Sequence, residues 1–516
     1  MIPERATMGA LLRDAAAAWS DHPAIECEGG ESWSFAELRV RADAVSRTLL
    51  ARGARPGQSI AIWAPNSAEW IFAAAGAEQI GMSLVPINTR FKGGEASETL
   101  SRVEAAWLFT VRDFLGIDFA AMLQDAELPA LKETVFLDDD FAGWCSAGDG
   151  VSADELDRHV DAVKPDDVAD ILFTSGTTGR PKGAMSTHEQ NLRSFEAWSD
   201  AVGLRAGDRY LIVNPFFHSF GYKAGWLACL LRGATAMPVA SFDASGILSR
   251  VASAGVTVLP GPPTIFQSLL DAPDRASHDL SSLRLAVTGA ASVPPTLIRR
   301  MRDELGISDV LTAYGLTEAC GVVSATHSGD PPELVANSCG TPIPGVEVKL
   351  VDPEDNEVPV GQPGELLVRG FNVMKGYLDD PKSTSETIDA DGWLRTGDIA
   401  TQDADGYLRI TDRAKDMFIS GGFNCYPAEI EARLLDHPDV ARAAVVGKPD
   451  HRLGEVAHAV IVPALGASQD SDAFLKWCRE AMANYKAPRS VEWVDELPLN
   501  ASGKVQRFLL KQDSAA

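Results

Sequence analysis

The sequence predicts an α/β protein with a large N-terminal domain of parallel α/β sheets, a small β region, and a small C-terminal α/β domain. Three observations carry this reading. Apolar runs of strand character alternate with helical periodicity as far as about residue 340, the rhythm of βαβ units. Alternating, turn-punctuated segments then follow between residues 346 and 410, as in an antiparallel sheet. After Arg413 the helix and strand alternation resumes.

The first helix is predicted over Ser34 to Arg52, where Phe35, Leu38, Ala42, Val45 and Leu49 step by three and four, and Ser34 and Glu37 have capping-box spacing. Ser59 to Trp63 reads as a strand, Pro65-Asn66-Ser67 as a turn into another helix, and Ser83 to Ile87 as a second strand. The pattern returns at Asp170 to Phe173 with a helix after His188, at Tyr210 to Val213, and at Leu283 to Thr288. In the β region, Val346 to Leu350, Gly364 to Arg369 and Tyr407 to Ile410 read as strands. Beyond it, Pro427 to Asp436 and Ser471 to Met482 are helical patterns, with strands at Ala441 to Val446 and Ala457 to Val462.

Within this frame, Ile171 to Met185 joins a buried-type apolar run to the loop Thr174-Ser-Gly-Thr-Thr-Gly-Arg-Pro-Lys182. Gly176 and Gly179 let backbone N–H groups approach oxygen closely, while Thr174, Ser175, Thr177 and Thr178 add donors and Lys182 adds a compact positive charge. That composition suits phosphate groups. It is not the Gly-Lys-Ser/Thr nucleotide loop, because Lys182 follows Pro181 and precedes Gly183. Leu311 to Glu318 gathers Tyr314, Gly315, Thr317 and Glu318, so a stacking ring and a metal-binding carboxylate are close in sequence; the plainer reading is a strand-to-helix turn capped by Thr317. Asp398 follows Gly397 in Asp391-Gly-Trp-Leu-Arg-Thr-Gly-Asp398, where it serves either a turn or the hydroxyls of a ribose.

Composition narrows the class further. A formal net charge of -26 argues against non-specific binding of nucleic acid or an anionic membrane surface, so an anionic ligand has to be held by local positive charge and backbone donors. The seven cysteines include no Cys-x-x-Cys pair and no His at zinc-ligand spacing, which implies reduced thiols and a cytoplasmic protein. The amino terminus carries Glu4, Arg5, Arg13 and Asp14 and does not read as a secretory signal, and no apolar run reaches membrane-spanning length.

In their order and spacing, these segments resemble the adenylate-forming superfamily of acyl- and aryl-CoA synthetases, nonribosomal adenylation domains and firefly luciferase. The resemblance covers essentially the whole chain. It implies an N-terminal adenylate-forming domain over residues 1–412 and a mobile C-terminal domain over 413–516. ATP, Mg²⁺ and CoA are implied as cofactors, a small carboxylic acid as substrate, and a homo-oligomer is an allowed assembly. The loop from Thr174 through Gly179 to Lys182 is then the site of the β- and γ-phosphates, with Thr174 and Glu318 at the metal. Tyr314 stacks on adenine beside Gly289, Ala290 and Ala291, with Gly315 and Thr317 adjoining. Asp398 binds ribose near Arg413, Lys504 drives adenylation, Lys415 is the hinge, and Gly421 and Gly422 line the thiol tunnel. His218 matches a position beside the acyl carboxylate.

The acid pocket is implied around His218, Phe220, Gly221 and Lys223. His218 to Cys229 and Val258 to Leu270 resemble most the bacterial ligases that activate the bicyclic hydrindanedione propanoate left after sterol ring cleavage. Lys223 is read in two ways, as a contact to a keto or second carboxylate group or as a surface or snorkelling lysine. A fatty acid or an aryl acid is the alternative substrate. A carrier-protein loader is a further alternative, disfavoured by the short run after Lys504; a non-catalytic binder is disfavoured by the presence of Lys504, Glu318 and Thr174.

Overall fold

The computed structural model describes residues 2–174, 181–289, 293, 295–413, 416, 418–420, 423–425, 427–450, 453–482, 484–499 and 505–512. The chain forms two compact units, one of residues 1–347 with 368–394 and the other of 348–367 with 395–516.

In the first unit, among the described residues, a seven-stranded sheet runs in the order Gly376–Tyr377, Lys182–Thr187, Val168–Thr174, Ser83–Pro86, Ser59–Trp63, Trp107–Thr110 and Glu133–Phe136. Its strands from Val168–Thr174 to Glu133–Phe136 are mutually parallel. A nine-stranded sheet carries Asp309–Tyr314, Leu285–Gly289, Val258–Gly261, Arg209–Ile212 and Thr235–Pro238 as neighbouring parallel strands. Parallel strands need helical crossovers that cover both faces, and this explains why Ser59–Trp63 and Trp107–Thr110 are buried at every residue.

Local chemistry sets the helices as the spacing predicts. Phe35–Ala51 begins at a capping box in which Ser34 accepts from the Glu37 amide at 3.2 Å and Glu37 accepts from the Ser34 amide at 2.8 Å. Its neighbour Ala68–Glu78 is capped by Ser67 and is buried at every residue except Glu69. A Cβ at Gly76 would meet Val45 at 2.6 Å and the Ala42 carbonyl at 2.7 Å. The two helices touch backbone to backbone there, and Ser46 donates to the Gly76 carbonyl at 2.6 Å.

The loop after Val168–Thr174 leads into the strand Lys182–Thr187, which pairs antiparallel with it and opposes Thr174 to Lys182, and the helix His188–Val202 follows where the sequence predicts one. The structure corrects one local expectation: Thr317 does not cap a helix. Asp309–Tyr314 is followed by a single 3-10 turn, Thr317–Ala319, that has no side-chain cap and ends at Cys320 with φ of 53°.

In the second unit, an antiparallel pair, Val440–Asp450 with Gly454–Pro463, packs under Pro427–Leu434 and Ser471–Ala481, and Ser490–Trp493 adds in parallel. Phe418, Ile430, Leu434, Val445, Ile461 and Phe474 form its core. The strand Leu394–Gln402 pairs with Leu408–Arg413 through a register shift between Ile399 and Ala400. No helix among the described residues is long and apolar enough to cross a membrane.

Candidate active site

Three adjacent strands of the seven-stranded sheet build the first part of the site. Thr174 opposes Lys182, Leu172 opposes Ala184, and Ala184 opposes Tyr377. Opposed residues share a face and side chains alternate along a strand, so Thr174, Lys182 and Tyr377 project from the same side of the sheet. Gly183 presents the opposite face, where a Cβ would lie 2.9 Å from Ile171 Cγ2. The guanidinium of Arg102 donates to the Pro181 carbonyl, tying down the chain just before Lys182.

Glu318 arrives from the nine-stranded sheet. Its Oε1 accepts from the Tyr377 hydroxyl at 2.9 Å and from Thr174 Oγ1 at 3.3 Å. Lys182 Nζ lies 4.9 Å from the centroid of the Tyr377 ring. Thr174, Lys182 and Glu318 are partly exposed and Tyr377 is buried, so the cluster lies where the core meets solvent. The Met374 amide donates to the Glu318 carbonyl at 2.8 Å and fixes the turn that carries the carboxylate. A threonine hydroxyl and a carboxylate converging in this way are hard oxygen donors, the set that suits Mg²⁺.

Tyr314 is half-buried at the end of its strand, and Gly315 after it is exposed. Gly289 lies on the neighbouring strand, opposite Ala313, where a Cβ would stand 2.6 Å from the Ala313 carbonyl. A Cβ on Gly315 would meet the Gly321 carbonyl at 2.2 Å. Both glycines permit close backbone approach beside the tyrosine, the surface that a flat ring needs. Ala290 and Ala291 lie outside the described residues, as do Ser175, Gly176, Thr177, Thr178 and Gly179.

His218 caps the short helix Ser219–Gly221, its Nδ1 accepting from the Phe220 amide at 3.2 Å. That bond fixes the orientation of the imidazole at the head of the turn. A Cβ on Gly221 would lie 2.2 Å from the Pro215 carbonyl, so the turn closes only with glycine. Phe220 is half-buried.

Lys223 corrects the reading of a surface or snorkelling lysine. Its side chain has no exposure, and Nζ lies 3.0 Å from Asp170 Oδ1 and donates to Ser186 Oγ at 3.0 Å. It belongs to a π-helical turn, Tyr222–Leu227, with Gly225 in a non-helical conformation. Asp170 also accepts from Asn191 Nδ2 at 2.5 Å, and beside it Tyr222 donates to the buried carboxyl group of Glu78. Burial pushes the Glu78 carboxyl well above its usual range, opposed by the Tyr222 hydrogen bond. Burial raises Asp170 as well, against the pull of Lys223. The lysine amine is therefore satisfied inside the protein rather than presented to a ligand.

Asp398 lies in the second unit, buried on the strand Leu394–Gln402, its amide donating to Thr396 Oγ1 at 3.1 Å. Arg413 opposes it in the sheet, and the Arg413 side chain lies outside the described set. Lys415, Gly421, Gly422 and Lys504 also lie outside the described residues. Sequence reasoning missed Tyr377, Asp170 and Glu78. Only the sheet edge at Gly376–Tyr377 brings Tyr377 to Glu318, and the Met-Lys-Gly-Tyr segment offers no local mark of that role.

Comparison with known proteins adds to this geometry. Residues 12–378 match the AMP-binding enzyme family and residues 429–504 match the AMP-binding enzyme C-terminal domain. The chain is 46% identical to the 3-[(3aS,4S,7aS)-7a-methyl-1,5-dioxo-octahydro-1H-inden-4-yl]propanoyl:CoA ligase of Rhodococcus jostii (strain RHA1), over 99% of this chain and 100% of that one. It has the same identity and coverage with the ligase of that name from Mycobacterium tuberculosis (strain ATCC 25618 / H37Rv). Among solved structures, ATP-bound MatB from Rhodopseudomonas palustris superposes with a TM-score of 0.85 at 31% identity, covering 99% of both chains.

Proposed function

We propose that this chain, which belongs to the AMP-binding enzyme family and is an ATP-dependent acyl-CoA ligase, activates an alicyclic propanoate derived from a sterol. The observation that carries the choice of acid is the full-length identity of 46% to two ligases named for the hydrindanedione propanoyl group.

In this reading the carboxylate attacks the α-phosphorus of ATP, giving an acyl-adenylate and diphosphate, and the CoA thiol then displaces AMP. The first step brings two anions together. Lys182 and the loop Ser175 to Gly179 hold the β- and γ-phosphates, and Lys504 offsets charge that builds between carboxylate and phosphate. Thr174 and Glu318 would hold Mg²⁺, which would supply further charge neutralisation at the phosphate oxygens. Tyr314 stacks on adenine beside Gly289, Ala290 and Ala291, with Gly315 and Thr317 shaping the turn. Asp398 accepts from the ribose hydroxyls, and Arg413 lies next to it on the paired strand. His218 stands beside the acyl carboxylate, and the body of the acid lies along Phe220 and Gly221. Lys223 acts on that pocket only by holding the turn that follows His218.

For the second step, residues 413–516 rotate as a domain about Lys415 relative to 1–412, so that Lys504 withdraws and Gly421 and Gly422 line the thiol path. We place the enzyme in the cytoplasm.

AMP release and thioester mass, measured across hydrindanedione propanoate, straight-chain acids and aryl acids, test the reading. The bicyclic acid is expected to have the highest kcat/KM. A preference for alkyl or aryl acids overturns the substrate assignment while leaving the ligase chemistry in place.

A further inference from the structure

Tyr377 has no part in the roles assigned above, yet it touches two of the residues that carry them. Its hydroxyl donates to Glu318 Oε1 at 2.9 Å, and its ring lies 4.9 Å from Lys182 Nζ. Thr174 Oγ1 reaches the same Oε1 at 3.3 Å, and neither bond uses Oε2. A carboxylate held through one oxygen by two hydroxyls has a fixed plane and presents its other oxygen in a single direction. The tyrosine is itself pinned. Its amide donates to Thr384 Oγ1 at 2.9 Å, Gly376 before it has φ of 143°, and its strand pairs with the one that carries Lys182.

We propose that Tyr377 is a positioning residue that orients Glu318 toward the magnesium of MgATP and, through its ring, holds Lys182 in register with that carboxylate. The proposal rests on the assignment of Glu318 to the metal. It assigns separate work to the two halves of one side chain: the hydroxyl sets the metal oxygen, and the π-face sets the phosphate cation. A ligand carboxylate left without its outer hydrogen bond loses metal affinity by about 10- to 100-fold.

The test is calorimetric binding of ATP to the full-length protein without acid or CoA, in EDTA and in MgCl₂, so that no turnover is needed. For the wild type, Mg²⁺ tightens ATP binding by a measurable ratio. Tyr377→Phe keeps the ring and is expected to leave metal-free binding unchanged while reducing that ratio about tenfold. Tyr377→Leu also loses the ring and is expected to weaken binding in EDTA as well. Thr384→Val, which removes the acceptor for the Tyr377 amide, is expected to lower the Mg²⁺ ratio in the same direction.

A Tyr377→Phe ratio equal to wild type, with Glu318→Gln losing the Mg²⁺ effect, overturns the role of Tyr377 and leaves the metal assignment of Glu318 intact. A Glu318→Gln variant that keeps the full Mg²⁺ effect overturns that assignment and the proposal with it. Equal weakening by Tyr377→Phe in EDTA and in Mg²⁺ assigns the residue a purely structural role and also overturns the proposal.

Discussion

Lys223 and Asp170 face each other at 3.0 Å with neither side chain exposed, so each ion depends on the other for compensation. Removing one partner strands a buried charge, which costs about 3–5 kcal/mol, whereas replacing both with apolar side chains of similar volume is often close to neutral. Lys223→Ala is therefore expected to lower unfolding free energy in urea by about 3–5 kcal/mol, and Lys223→Met with Asp170→Leu to recover most of it. A single variant within about 1 kcal/mol of wild type refutes the pairing argument. Glu78 adds a pH dependence. Burial raises its native-state pKa well above 4.5, with Tyr222 and Lys223 opposing and Asp170 reinforcing the shift. The folded state thus keeps a proton that the unfolded chain releases near that value. The contribution is whole below the unfolded pKa and is lost as pH rises toward the folded one. Glu78→Gln does not titrate, so its stability relative to wild type is expected to increase from about pH 5 to pH 8. A difference that stays constant across denaturation curves at the two pH values contradicts the protonated carboxyl.

The strand pair Leu285–Gly289 and Asp309–Tyr314 determines where Tyr314 stands, and its weak point is Gly289. A methyl group there meets a backbone carbonyl at 2.6 Å, which no rotamer change relieves. Gly289→Ala is expected to cost about 1–3 kcal/mol of stability and to raise the KM for ATP, with less effect on the KM for CoA. Equal rises in both KM values detach the glycine from the proposed adenine surface. The strand Lys182–Thr187 shows why this element escapes a reading by periodicity. Gly183, Ala184 and Ser186 are small residues with little strand propensity, and antiparallel pairing to Val168–Thr174 organises them.

The proposed steps make different demands on the bound nucleotide, which a rotation of residues 413–516 about Lys415 would meet. In the proposed cycle, Lys504→Ala is expected to slow acyl-adenylate formation by about a hundredfold or more while sparing thioester formation from supplied acyl-adenylate. Single-turnover measurement of each half-reaction checks this, and equal loss in both rejects the rotation about Lys415.

The sequence by itself determined the class of protein and its local elements. The capping box at Ser34 and the strands at Ser59–Trp63 and Leu285–Gly289 are set by residues within a few positions of one another, so local spacing reveals them. The tertiary structure alone decided that Lys223 is an internal ion rather than a surface one, that Glu78 is buried beside Tyr222, and that Tyr377 meets Glu318. Those partners lie far apart along the chain and become neighbours only through sheet register and helix packing. A single charged or aromatic residue carries no periodic signal of the group that will compensate it once water is gone.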